Sequence, residues 1–448
     1  MPTLTRSRTA TVCILAAAGS LAIVQPALAG KKPTATKVTT TVAHSAPAVS
    51  ASSPVRIAAS STALVDATGQ TFGPDSPYAV GGQLVTTLNT VRRTASQPLY
   101  QRERLGGSGY AFPVSTPGTY FVDLFVAETQ GAQVGQRVWN VTAEGSPAAT
   151  SVDVVRDAGA NVASHVLFAA PVTDGVLNIS FDRVAGQPLV GAVEVDFQNS
   201  STTAAATLFS DDFNSAVGTS PDTRKWTAVT GGNGWGNNEL QSYTGRASNV
   251  ATDGAGHLSI TARNETYTGS DGLTRNYTSA RLQTRDHFAF QYGTAVARMR
   301  VPAGQGLLPA FWALGTNIGT VGWPLCGEVD IAEILGSDPT VSHATVHAGA
   351  TNGGTWLSGT STAAATPLSD GYHDYGVIWG PNAIAMTLDG RTYMTVSASD
   401  PLPTNFWNFN HPFYLLLNLA VGGNWPGAPD ATTAFPATLS VDYVRVTG

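Results

Sequence analysis

The chain has 448 residues, of which 12% are charged, with a formal net charge of −6. No basic cluster could neutralise a run of phosphates, so nucleic acid is excluded as a partner. The two cysteines, Cys13 and Cys326, cannot make a disulfide-stapled scaffold, and the length allows two domains that each bury a core of their own.

Arg6 and Arg8, the apolar stretch Ala10–Val24 and the closing Ala27-Leu28-Ala29 form the three-part layout of a cleavable export signal. Residues 1–29 are therefore expected to be removed, which leaves Cys326 as the sole thiol of a secreted, extracellular protein. The stretch is too short to span a bilayer. The later apolar run Leu415–Val421 is interrupted by Asn418, so no membrane association is expected after cleavage. Nine Trp, 13 Tyr and 47 Gly suit a neutral sugar ligand, whose rings offer apolar faces for stacking and hydroxyls for hydrogen bonds.

Residues 30–53 are rich in Thr, Ala, Ser and Pro, contain no aromatic residue, and read as a tether. Residues 54–198 carry short strand patterns, Tyr120–Val126 and Val176–Phe181, with turns at Pro117-Gly118 and Asp174-Gly175. That is the signature of an all-β domain of sandwich size. The composition shifts again over 199–206, read as a linker. Residues 207–448 then give further strands at Gly256–Ala262, Ala295–Val301, Tyr375–Trp379, Ala383–Leu388, Phe413–Val421 and Leu439–Val446. No long amphipathic helix intervenes, so antiparallel sheets packed as a sandwich or jelly roll are expected.

The sharpest chemical signal is Gly327–Glu333, GEVDIAE, in which Glu328, Asp330 and Glu333 interrupt an apolar strand. In a regular strand Glu333 points away from the other two. A β-bulge at Ala332 returns it to their face. Four equivalent residues then separate the glutamates by roughly 13 Å along the strand. Side chains leaning together bring the carboxyls to about 5–7 Å, near the roughly 5–5.5 Å of retaining glycosidases and at the edge of the inverting range. A solvated strand face and a calcium site of three carboxylates are the alternatives. Three acids flanked by Phe311-Trp312, Trp323 and Pro324 favour catalysis, because such a setting costs energy unless it is used.

These residues resemble glycoside hydrolase family 16, and within it the laminarinase-like endo-β-1,3-glucanases. The resemblance covers almost all of 207–447, through GWGNNELQSYT at Gly234–Thr244, TSARLQT at Thr278–Thr284, PAFWALG at Pro309–Gly315, WPLCGEVDIAE at Trp323–Glu333, TVH at Thr345–His347, LLLNLAVGGNWPGAP at Leu415–Pro429 and VDYVRV at Val441–Val446. It implies a β-jelly roll with Glu328 as nucleophile, Asp330 as its assistant and Glu333 as acid/base. By the same resemblance Trp312 and Trp323 stack on sugars, Asn238, Arg281 and His347 supply polar contacts, and Trp425 borders the cleft. Taken singly, Trp312 reads equally as core, Arg281 as a surface charge and His347 as a strand histidine. Leu308 stands where relatives have Trp, and Ala348–Gly354 departs from their usual loop, so the subsites can differ.

The chemistry needs no cofactor. The family further implies a structural calcium ion at Asp212, Gly256 and Asp442, although Asp212 also reads as a turn cap and Asp442 as a solvent-facing acid. Cys326 reads as a small buried group, since no histidine activates it. Residues 55–197 resemble malectin-like carbohydrate-binding domains through LYQRER at Leu99–Arg104, Tyr110–Val114, Gly118–Glu128 and Gly135–Val141. Tyr100, Tyr110 and Phe112 are stacking candidates there, or ordinary core aromatics. The partner expected for a monomeric enzyme of this kind is β-1,3-glucan. The alternatives are mixed-linkage β-glucan or a galactan, or a glucan-recognition protein without catalysis. Relatives acting on lichenan lack the extra bulge residue.

Overall fold

A computed structural model describes residues 46–202, 206–351, 353–398 and 406–448. The export signal at 1–29 and the first part of the tether lie outside the described residues. No helix among the described residues is long and apolar enough to cross a membrane. The helices described are pieces of four or five residues, Gln97–Gln101, Val154–Asp157 and Ile318–Val321. The fold is otherwise built from strands, as the alternating patterns predict.

The front part forms two six-stranded sheets. Its core draws on both, with Phe112, Tyr120, Trp139 and Leu177 completely buried. The end of the expected tether belongs to this core: Val49 is fully buried, and its N–H bonds to the Pro113 carbonyl. An apolar side chain within reach of an open sheet edge has overridden a polar local composition.

Residues 207–448 form a ten-stranded and a seven-stranded sheet. One large core joins them, with Leu258, Ala297, Tyr375, Met386 and Val444 from the first sheet and Phe311, Ile331, Val346 and Leu417 from the second. Strand Phe413–Val421 is buried along its whole length because both faces are covered. Its odd-numbered residues enter the main core, while Tyr414 and Leu416 pack with Leu314 and Cys326 on the other side.

The two parts are docked. Strand Gly118–Val126 is likewise buried on both faces. Phe121 and Leu167, on the outer face of a front-domain sheet, meet Ala383 and Ala385 of the ten-stranded sheet. The Asn382 amide donates to Glu194 at 2.9 Å, and Arg391 pairs with Asp157 at 3.0 Å. A Cβ added to Gly380 would lie 2.1 Å from the Phe121 ring, so glycine is required there for the approach of the two domains.

Candidate active site

Strand Glu328–Glu333 lies inside the seven-stranded sheet, between Leu307–Gly315 and Val341–Gly349. Towards the second neighbour, Asp330 pairs with Thr345 and Glu333 with His343, so three steps oppose two. Towards the first, Phe311 faces Ala332 and Trp312 faces Asp330, which leaves Ile331 as the extra residue. The bulge expected at Ala332 thus spans Ile331 and Ala332, and both side chains enter the core. Two successive inward residues restore the phase of the strand. Glu328, Asp330 and Glu333 consequently share the face away from that core.

The Trp323 indole N–H donates to Glu328 Oε2 at 2.9 Å. His347 Nε2 lies 3.1 Å from Asp330 Oδ2 and 3.9 Å from Glu328 Oε1. Burial pushes Glu328 up to about 8, reinforced by Asp330 and opposed by His347, the Trp323 hydrogen bond and Arg281. Burial likewise lifts Asp330 to about 7, against a hydrogen bond shared with Glu328. Glu333 is held well above the usual carboxylate range by burial and by the charges of Asp330 and Glu328, with only His347 opposing. The first negative charge therefore settles on the hydrogen-bonded Asp330–Glu328 pair, which has His347, the Trp323 N–H and Arg281 beside it, and not on Glu333. The proton stays at Glu333. This is the split that a nucleophile and a general acid require.

The other side chains singled out in the sequence converge on this face unequally. Arg281 is held between two indoles, its guanidinium 4.6 Å from the Trp312 ring and 5.0 Å from the Trp235 ring. The Trp312 N–H donates to Asn418 at 2.8 Å, which fixes the ring on the open face. Trp323 and Trp425 are 55% and 45% exposed. Trp425 packs edge-on against His343. Asn238 donates to Asn424 at 2.9 Å, so it braces the loop that carries Trp425. Leu308 is buried.

Trp235, Asn418 and His343 belong to the site and were not singled out. His343 was legible from alternation alone, since 343, 345 and 347 share a strand face and His347 was already placed.

The stacking role considered for three front-domain aromatics is corrected. Tyr100, Tyr110 and Phe112 are fully buried and cannot stack on a ligand. The Tyr100 hydroxyl instead meets His165 Nε2 at 3.1 Å, and His165 Nδ1 meets Asp123 at 2.8 Å. The two acids named for calcium each face an arginine. Asp212 accepts from Arg445 at 2.9 Å and Asp442 pairs with Arg298 at 3.1 Å, while Gly256 sits at φ +90° in the turn between them in sequence. An arginine stands beside each acid, and Arg298 is shared with Asp374 at 3.7 Å, so a divalent cation at Asp212 and Asp442 would compete with these ion pairs for the carboxylates. Among the described residues, acid and histidine atoms close enough to share an ion occur instead at Glu328, Asp330 and His347, where a cation would occupy the nucleophile. Cys326 is fully buried, and burial lifts its thiol to about 11, so it packs rather than reacts.

Residues 237–445 match the glycosyl hydrolases family 16 model, and residues 54–202 match the malectin domain. A beta-glucanase of Rhodothermus marinus is 43% identical over 235 residues, covering 50% of this chain and 80% of its own length. A glucan endo-1,3-beta-glucosidase of Cryptopygus antarcticus is 34% identical over 49% of this chain and 85% of its own. The laminarinase catalytic domain of Thermotoga maritima superposes with a TM-score of 0.50 at 36% identity, over 55% of this chain and 98% of that one. The carboxylate strand, the two-sheet sandwich and these likenesses lead to one assignment: the chain belongs to glycosyl hydrolases family 16 and carries a malectin domain ahead of its hydrolase domain.

Proposed function

We propose that the protein is a secreted endo-β-1,3-glucanase that cleaves with retention of configuration. The observation that carries this reading is the bulged strand, which sets Glu328 and Glu333 on one face with Asp330 between them and gives the indole hydrogen bond to Glu328 alone. Glu328 attacks the anomeric carbon while Glu333 protonates the departing glycosidic oxygen. A water activated by Glu333 then releases the sugar from Glu328. Asp330 shares a proton with Glu328 and lets it take up charge. The similar proteins are a beta-glucanase, a glucan endo-1,3-beta-glucosidase and a laminarinase, which supports a β-1,3-glucan substrate. The charged segment, apolar stretch and small-residue close of 1–29 support export. For the malectin domain we infer a carbohydrate ligand held by residues other than its buried Tyr100, Tyr110 and Phe112.

The test is reducing-sugar release from laminarin, with lichenan, curdlan and agarose in parallel, and proton NMR of the first product. Internal cleavage of laminarin with a β-anomer appearing first is expected. Faster cleavage of lichenan or agarose would move the substrate, and an α-anomer would overturn the mechanism.

A further inference from the structure

The hydrolase reading says which bond is cut; the sheet register indicates how far the sugar chain extends beyond it. Strand Val341–Gly349 pairs one to one with the edge strand Thr355–Ala363. His347 faces Leu357, Thr345 faces Gly359 and His343 faces Ser361. In the first strand Ala344, Val346 and Ala348 enter the core, so 343, 345 and 347 lie on the carboxylate face. On the edge strand Trp356 packs against the core, and its neighbour Leu357 stands on the open face, 63% exposed.

Leu357 therefore ends a row that runs across the strands as Leu314, Glu328, His347 and Leu357. Strands are spaced about 4.8 Å apart, so Leu357 lies roughly 10 Å from Glu328. With bonds near 1.5 Å a pyranose unit spans about 5 Å, and this separation corresponds to roughly two sugar units. His347 stands between Glu328 and Leu357 in the register. The Trp323 ring, 55% exposed, leans on the His347 ring with centroids 5.8 Å apart. Beside Leu357, Gly359 carries no side chain, and a Cβ there would come within 3.0 Å of Thr345 Oγ1. The result is an apolar shelf at the level of the strand, next to the hydroxyl of Ser361. An exposed leucine on a sheet edge is a liability that a charged residue normally replaces.

We propose that Leu357 is a specificity-determining residue, an outer subsite platform on which the apolar face of a sugar ring two units from the nucleophile rests. The proposal rests on the hydrolase reading above and adds a chain-length preference to it. A ring laid on Leu357 covers about half of its side chain, which amounts to about five-fold in binding. The gain exists only for substrates long enough to reach it.

The experiment compares wild type, Leu357→Ala, Leu357→Asp and Leu357→Trp on β-1,3-linked glucose oligosaccharides of three and six units. The quantity read is the ratio of kcat/KM for the hexasaccharide to that for the trisaccharide. It should fall about five-fold in Leu357→Ala and further in Leu357→Asp, through KM rather than kcat, and rise in Leu357→Trp. A purely structural role would lower both substrates together and leave the ratio fixed. An unchanged ratio in the Ala and Asp variants, with wild type active, would overturn the subsite alone. A wild type inactive on both oligosaccharides and on laminarin would remove the hydrolase reading and the subsite with it.

Discussion

Replacing Glu328 by Gln should abolish hydrolysis and stabilise the fold, by an amount that depends on pH. Only 18% of the Glu328 side chain is exposed, and its carboxyl is raised from 4.5 to about 8. Between those values the folded protein holds the proton more tightly than the unfolded chain does. Stability is thus fully present below pH 4.5 and is lost as pH rises through 8. At about 1.4 kcal/mol per pH unit the ceiling is roughly 5 kcal/mol, and relaxation with Asp330 sharing the charge reduces it to about 1–3 kcal/mol. Glutamine keeps the shape and still accepts the Trp323 N–H, so its packing cost is small. A domain of this size gains about 2–4 °C in Tm per kcal/mol, which gives an increase of roughly 3–10 °C. Thermal melts of wild type and Glu328→Gln at pH 4 and pH 8 should show this gain at pH 8 and little at pH 4. An equal difference at both pH values, or a lower Tm for the variant at pH 8, would refute a destabilising buried charge.

The division of labour can be read from azide products. Glu328→Gly should yield an α-glycosyl azide and Glu333→Gly, with a good leaving group, a β-glycosyl azide, and the opposite pairing by proton NMR would reverse the roles. Cys326→Ser should keep kcat/KM within a few-fold, because burying one hydroxyl costs about 1–3 kcal/mol, whereas a loss as deep as that of Glu328→Ala in a folded protein would give the thiol a chemical part. Phe121→Asp, against Gly380, should cost roughly 2–4 kcal/mol at the domain junction and split one calorimetric transition into two. A single unchanged transition would mean that the contact does not couple the domains.

Much of the fold was legible because strand patterning is local. Ala383–Leu388 and Phe413–Val421 have the ends read from their apolar runs, and Glu328, Asp330 and Glu333 announce themselves as acids in an apolar strand. What no local reading could decide is who stands opposite whom. The bulge falls at Ile331 and Ala332 because the two flanking strands fix the register from both sides. Arg281 becomes part of the site only when Trp235 and Trp312 close on it from separate segments. Asp212 and Asp442 meet arginines from neighbouring strands, and Tyr100, Tyr110 and Phe112 are enclosed by a second sheet. Residue types and their periodicity, with the resemblance they carry, set the chemistry and the strand content. Pairing between strands far apart in sequence set burial and charge partners, since the free energy of a buried aromatic ring or a carboxylate depends on neighbours that only the folded chain brings within reach.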